Sequence, residues 1–126
     1  MNKNCKNCNI ELNENNIYPC FVKLRRYICK VCEMANSRKR YKEYRIIVIE
    51  KLGNKCDCCQ ENKFEVLSID HINGGGGKES KKLRGCDYMK KLKNMDEILL
   101  KEKYRCLCFN CNYCIGFWGV CQHELL

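Results

Sequence analysis

Long apolar runs are missing from this chain of 126 residues, and none approaches the ~18 residues that a membrane-spanning helix needs. A helical membrane span is therefore excluded as an expectation. The first residues, Met1-Asn2-Lys3-Asn4, are polar with no apolar run behind them, so no secretory leader is expected. Histidine is scarce. His71 and His123 are the only two, so any imidazole chemistry must fall to one of them. Acidic residues are also short, 15 against 24 basic, for a formal charge of +9. That imbalance points to a polyanionic partner, because a basic surface raises encounter rates with nucleic acid. The excess survives at about +5 once eight thiolates hold two zinc ions.

Cysteine is the abundant residue, with 14 in all. In a secreted chain that would suggest disulfides. Here most of them fall into C-x-x-C pairs, the spacing of metal knuckles in a reducing compartment. The expected location is therefore intracellular, in the cytoplasm or nucleus of a host, and a phage or viral source is compatible with it. A chain of this length makes one domain or two small ones, and small domains need staples to reach useful stability.

Three stretches follow from the pattern. Residues 1–35 carry Cys5-x-x-Cys8 and Cys29-x-x-Cys32, which predicts a zinc ribbon with four sulfurs around one ion. Between the pairs, Ile17-Tyr18 and Phe21-Val22 read as short strands broken at Pro19, and Cys20 as a small core residue. Residues 36–53 read as a basic linking helix. Asn36 or Ser37 caps its start, Gly53-Asn54 stops it, and Tyr41, Tyr44, Val48 and Leu52 form its apolar face. Arg38, Lys39, Arg40, Lys42 and Arg45 crowd its first half, where they suit either phosphate contact or a solvated linker. The β-branched run Ile46 to Ile49 argues against helix locally.

Residues 54–126 hold the densest pattern. The knuckle Cys56-Asp57-Cys58-Cys59 leads to a strand, Phe64 to Asp70, then His71 and a glycine run, Gly74 to Gly77. The run fails as a Walker loop, because Lys78 is followed by Glu79, and reads instead as a turn that lets backbone approach a ligand or DNA. Lys78, Lys81, Lys82, Arg84, Lys90, Lys91 and Lys93 form the densest positive cluster, suited to phosphate. Helices are expected over Asp87 to Asn94 and Met95 to Lys101, a strand over Tyr104 to Leu107, and a helix from about Asn112. The second pair of this stretch is Cys108-x-x-Cys111, with Asn112 directly behind it. Cys56, Cys59, Cys108 and Cys111 are the expected second zinc set, and Cys58, Cys86 and Cys106 are expected to stay outside it. His123 either completes a third site with Cys114 and Cys121 or caps the tail.

Phosphodiester hydrolysis needs an activated water, charge neutralisation and help for the leaving oxygen. A neutral histidine can take the proton from water, and Asp70 is a hard oxygen ligand for Mg²⁺ or Mn²⁺. Neighbours on a regular strand point to opposite faces, so Asp70 and His71 converge on one phosphate only where the strand ends or bulges. On a helix, Cys111 can face zinc while Asn112 turns its oxygen toward a second ion.

The order C-x-x-C, Asp-His, C-x-x-C-Asn resembles the HNH endonucleases (ββα-metal or His-Me finger fold), especially the zinc-bearing branch that includes phage recombination endonucleases. The resemblance covers most of the chain. It implies an α+β architecture: a zinc-stapled, treble-clef-like ββα-metal core behind the ribbon and basic helix. It also implies His71 as general base, Asp70 and Asn112 as ligands of one catalytic Mg²⁺ or Mn²⁺, two structural Zn²⁺ sites, and double-stranded or branched DNA as substrate. The pattern departs at one place. The middle Asn of the family, which braces the loop behind the histidine, falls on Lys103 here, with Asn73, Asn94 and Asn110 as candidate substitutes. Two rivals come from other classes: a zinc-dependent nucleic-acid-binding or regulatory module on the same fold that does no chemistry, and a protein-interaction adaptor built from two zinc ribbons.

Overall fold

The computed structural model describes residues 2–74 and 83–125. It is an α+β chain that divides into two compact units, Met1–Arg40 and Tyr41–Leu126, the division falling inside a helix. In chain order the elements are α1 (Pro19–Lys23), α2 (Lys30–Lys51), β1 (Leu67–His71), α3 (Gly85–Asn94), α4 (Glu97–Lys103), β2 (Tyr104–Cys108) and α5 (Phe109–Trp118), with 3-10 turns at Phe64–Val66 and Gln122–Leu125. Among the described residues no helix is long and apolar enough to cross a membrane.

The first unit opens on a tight hairpin. Asn4 bridges Glu11, and Cys5 N–H donates to Ile10 O at 2.8 Å. The expected strands around Pro19 are absent. Pro19 starts α1 instead, because a proline at the first helical position lacks only an N–H that would have no helical partner anyway. Cys20 is exposed rather than a core residue. Among the described residues the buried apolar ones of this unit are Cys5, Leu12, Ile17 and Cys29, with Phe21, Tyr27 and Ile28 half-buried against them, so its core is small.

Helix α2 begins at Lys30, six positions before the expected cap, and runs through the β-branched segment without interruption. Its start lies within the second cysteine pair, so that pair rides on a helix and the first unit is not a ribbon of two hairpin knuckles. Val48 and Ile49 are fully buried, which explains why packing overrides their poor helix propensity. The helix stops where expected. Gly53 and Asn54 both have positive φ, and Asn54 N–H reaches back to Ile49 O at 2.9 Å.

The second unit is built on a two-stranded antiparallel sheet. Leu67 pairs with Cys108, Ile69 with Cys106, Asp70 with Arg105 and His71 with Tyr104. Its core gathers Val48, Ile49 and Leu52 with Leu67, Met89, Leu92, Leu100 and Leu107. Arg45 is drawn into this packing: its guanidinium donates to Leu67 O and lies 5.2 Å from the centre of the Phe64 ring. Asp96 caps α4, its carboxylate accepting from Ile98 and Leu99 N–H, and α4 then feeds straight into β2.

Candidate metal centres and the strand-end cluster

Each unit carries one set of four paired cysteines, and the two sets share a plan. The first pair sits on a turn: Asn9 N–H donates to Cys5 O at 2.9 Å, and Gln60 N–H to Cys56 O at 3.0 Å. The second pair sits at a helix start. Cys29 and Cys108 each lie one residue before α2 and α5, and each sulfur accepts the N–H of the cysteine three positions on, at 3.4 Å in both. In each unit the four sulfurs lie within 4.8 Å of one another: Cys5, Cys8, Cys29 and Cys32 in one, Cys56, Cys59, Cys108 and Cys111 in the other.

The spacing tests what ion these sets fit. Four sulfurs at ~2.3 Å from a tetrahedral zinc stand about 3.8 Å apart. Cys8 Sγ and Cys29 Sγ are 3.7 Å apart, and Cys59 Sγ and Cys108 Sγ are also 3.7 Å apart. All-sulfur donors at tetrahedral spacing suit zinc, so the eight paired cysteines fit the group expected of them.

Gln60 follows its knuckle with a φ of 68°, a conformation that costs a side chain ~1–2 kcal/mol. A Gln60→Gly chain should gain about 0.5–1 kcal/mol, the relief being partly offset by glycine's extra freedom when unfolded. The denaturant midpoint of the zinc-loaded protein checks it; an unchanged or lowered midpoint would contradict the strained turn.

The sulfurs are not equivalent. Burial raises the Cys5 thiol, yet backbone N–H groups of Cys29, Cys8 and Asn7 outweigh it and bring the group down to about 6. In Cys56 burial again opposes, and the N–H groups of Cys59, Cys108 and Cys58 prevail, down to about 7. The His123 N–H lowers Cys121 to about 7. By contrast, the neighbouring Cys29 and Cys8 thiols push Cys32 up to about 12, and burial pushes Cys111 up. Cys106 is a buried core thiol raised to about 12 by burial.

The sequence left His123 either completing a third site with Cys114 and Cys121 or capping the tail. Cys58, Cys111, Cys121 and His123 converge instead, their ligand atoms within 4.8 Å of one another. Cys58, assigned no ligand role from the sequence, belongs to this group because the C-x-x-C pair spends Cys56 and Cys59 on the other one. The local signal was present in the doubled Cys58-Cys59; its partners sit more than fifty residues away and left none.

At the end of β1 the candidate chemistry divides between two faces. Leu67, Ile69 and His71 alternate with Ser68 and Asp70, and the ladder stays in register through His71. Arg105 Nε donates to Asp70 Oδ2 at 2.9 Å. Asn112 Nδ2 donates to Ser68 Oγ at 2.9 Å, and that hydroxyl donates to Leu107 O at 2.7 Å. Asp70 and Asn112 are thus brought to one face. His71 stands on the other, its Nε2 3.1 Å from Tyr88 Oη and its ring edge-on to Tyr104 at 4.8 Å between centres. Behind it two main-chain bonds brace the chain: Ile72 N–H donates to Lys103 O at 3.0 Å and Gly74 N–H to His71 O at 3.1 Å. Arg105, Ser68 and Tyr88 gave no sequence signal, because cross-strand and helix-to-strand neighbours are set by register.

The basic segments are partly spoken for. Arg40 pairs with Glu33 at 3.0 Å, and Lys93 Nζ lies 4.5 Å from the centre of the Tyr44 ring. Arg84 and Lys91 are engaged as well, and both are exposed, as are Arg38, Lys39, Lys42 and Lys90. Lys78, Lys81 and Lys82, with Gly75, Gly76 and Gly77, lie outside the described residues. No family model, curated protein or solved structure matches the chain.

Proposed function

We propose that the chain is a metal-dependent DNA endonuclease with an HNH-like, treble-clef-like ββα core, its zinc-bound cysteines serving to hold β1, β2 and α5 in place. The observation that carries this reading is the grouping of Asp70 and Asn112 on one face of β1 with His71 one residue further on, at the strand's last position. A phosphodiester lying across the strand end meets oxygen donors on one side and an imidazole on the other.

Asp70 and Asn112 would hold the divalent cation, Mg²⁺ or Mn²⁺. When bound, that cation supplies positive charge to the phosphate oxygens. Arg105 orients the Asp70 carboxylate by engaging Oδ2. Asn112 commits its amide nitrogen to Ser68, so its oxygen would be the atom that holds the ion. His71 takes the proton of the attacking water, and Tyr88 and Tyr104 fix the plane of its ring. The family's bracing Asn is replaced by a main-chain bond, Lys103 O to Ile72 N–H, which does not depend on the side chain at that position. Exposed Arg38, Lys39, Lys42, Arg84, Lys90 and Lys91 supply phosphate contacts.

A second reading has its own support. Asp70 is already satisfied by Arg105, and His71 by Tyr88, as in a fold that binds nucleic acid without cutting it. Supercoiled plasmid separates the two. With Mg²⁺ or Mn²⁺ added, the zinc-loaded protein should convert it to nicked circles, and omission of the added cation should stop the reaction. Salt-sensitive binding with no strand cut under either cation would overturn the nuclease reading and leave the binding module.

A further inference from the structure

Cys121 lies three residues past the end of α5 yet is completely buried, and Cys58 occupies a knuckle whose other two sulfurs already belong to a four-sulfur set. Neither is used by the strand-end chemistry. We infer that Cys58, Cys111, Cys121 and His123 hold a further zinc ion, and that Cys111 Sγ bridges it to the ion held by Cys56, Cys59 and Cys108.

The distances fit a coordination shell. Zinc bonds of ~2.3 Å to sulfur and ~2.0 Å to nitrogen place the two donor types about 3.5 Å apart around a tetrahedron. His123 Nδ1 lies 3.2 Å from Cys121 Sγ, 3.4 Å from Cys111 Sγ and 3.8 Å from Cys58 Sγ. The three values bracket that edge, and one ring nitrogen cannot hydrogen-bond to three sulfurs at once. An ion at the centre accounts for all of them.

Sharing follows from the cysteine set. Cys111 belongs to both groups, and it is completely buried. A thiolate sulfur has lone pairs enough for two metals. Six thiolates against two dications leave the same excess negative charge as four thiolates against one, so the cluster is no harder to bury than an ordinary four-cysteine site. The backbone also permits the closure. From Cys111 to Trp118 the helix rises about 10 Å, and the three residues that follow can span at most about 10 Å. The chain must therefore reverse at once, and Gly119 does so with a φ of 80°. The bridged pair clasps the tail to the knuckle, so that α5 is held both at its first turn and by the segment beyond its end.

Cadmium-113 replaces zinc in the full-length protein as a visible probe. Three cadmium resonances are expected, with the Cys111 β-protons correlating to two of them, and native mass spectrometry should count three ions per chain. A Cys121→Ser, His123→Ala double variant should hold two ions, with the Cys111 protons coupled to one. The parent spectrum decides bridging without any variant. Two ions in the parent, or three with the Cys111 protons coupled to a single cadmium, would overturn the shared cluster.

Discussion

A Cys5→Ser chain should lose the folded state of Met1–Arg40. Among the described residues the unit fully buries Leu12 and Ile17 besides Cys5 and Cys29, with Phe21, Tyr27 and Ile28 half-buried against them, too little apolar surface to offset the ordering of forty residues. The ion-pair network of Glu33 between Arg26 and Arg40 is half-exposed on its arginine side and contributes at most ~1 kcal/mol per pair. What remains is the metal. Structural zinc in small domains supplies roughly 10–16 kcal/mol of apparent binding energy, as much as a small domain's entire stability. Removing one of four ligands, and with it the thiol already lowered toward the thiolate, therefore removes the main stabilising term. Amide resonances from residues 2–40 should collapse to random-coil shifts, and a chelator should do the same to the parent. Dispersed amide shifts for this unit in the variant or after chelation would show that its core suffices without metal.

The second large effect concerns the chemistry. His71→Ala should lower strand cleavage by about 10²–10⁴-fold, the usual contribution of a positioned general base, while DNA affinity and its salt dependence stay unchanged. The imidazole meets Tyr88 through Nε2 and packs edge-on against Tyr104, so removing it leaves a small gap at the sheet end without touching any cysteine set. His71→Gln, which fills more of that gap without the basicity, guards against a packing artefact and should be equally impaired. Cleavage by either variant at the parental rate would remove His71 from the mechanism. Loss of DNA binding alongside activity would instead mark it as a structural residue.

What the sequence disclosed and what it hid divide along the range of the interactions. The eight paired cysteines were legible because C-x-x-C is a local spacing, and both groups assemble as expected. The same spacing misled about architecture. Residues three apart also share a helix face, so Cys29-x-x-Cys32 reads equally as a knuckle or as a helix start, and the structure has the helix. Gly53-Asn54 announced the end of α2 because positive φ has few takers. Ile46 to Ile49 pointed away from helix, and only the burial of Val48 and Ile49 reverses that preference. Cys58 could not be assigned from spacing, since its partners Cys111, Cys121 and His123 come from the other end of the chain. Asp70, His71 and Asn112 were legible as a set of residue types. Their division between two faces, and the partners Arg105, Tyr88 and Ser68, depend on the β1–β2 register and the seating of α5.

Sulfur-bound zinc as the organiser of both units is the claim on which the rest depends. X-ray absorption at the zinc edge of the purified full-length protein tests it most directly. The expected first shell is almost entirely sulfur at ~2.3 Å, with the minor nitrogen contribution of one histidine. A shell dominated by oxygen and nitrogen, or a protein that folds with no bound zinc, would contradict it.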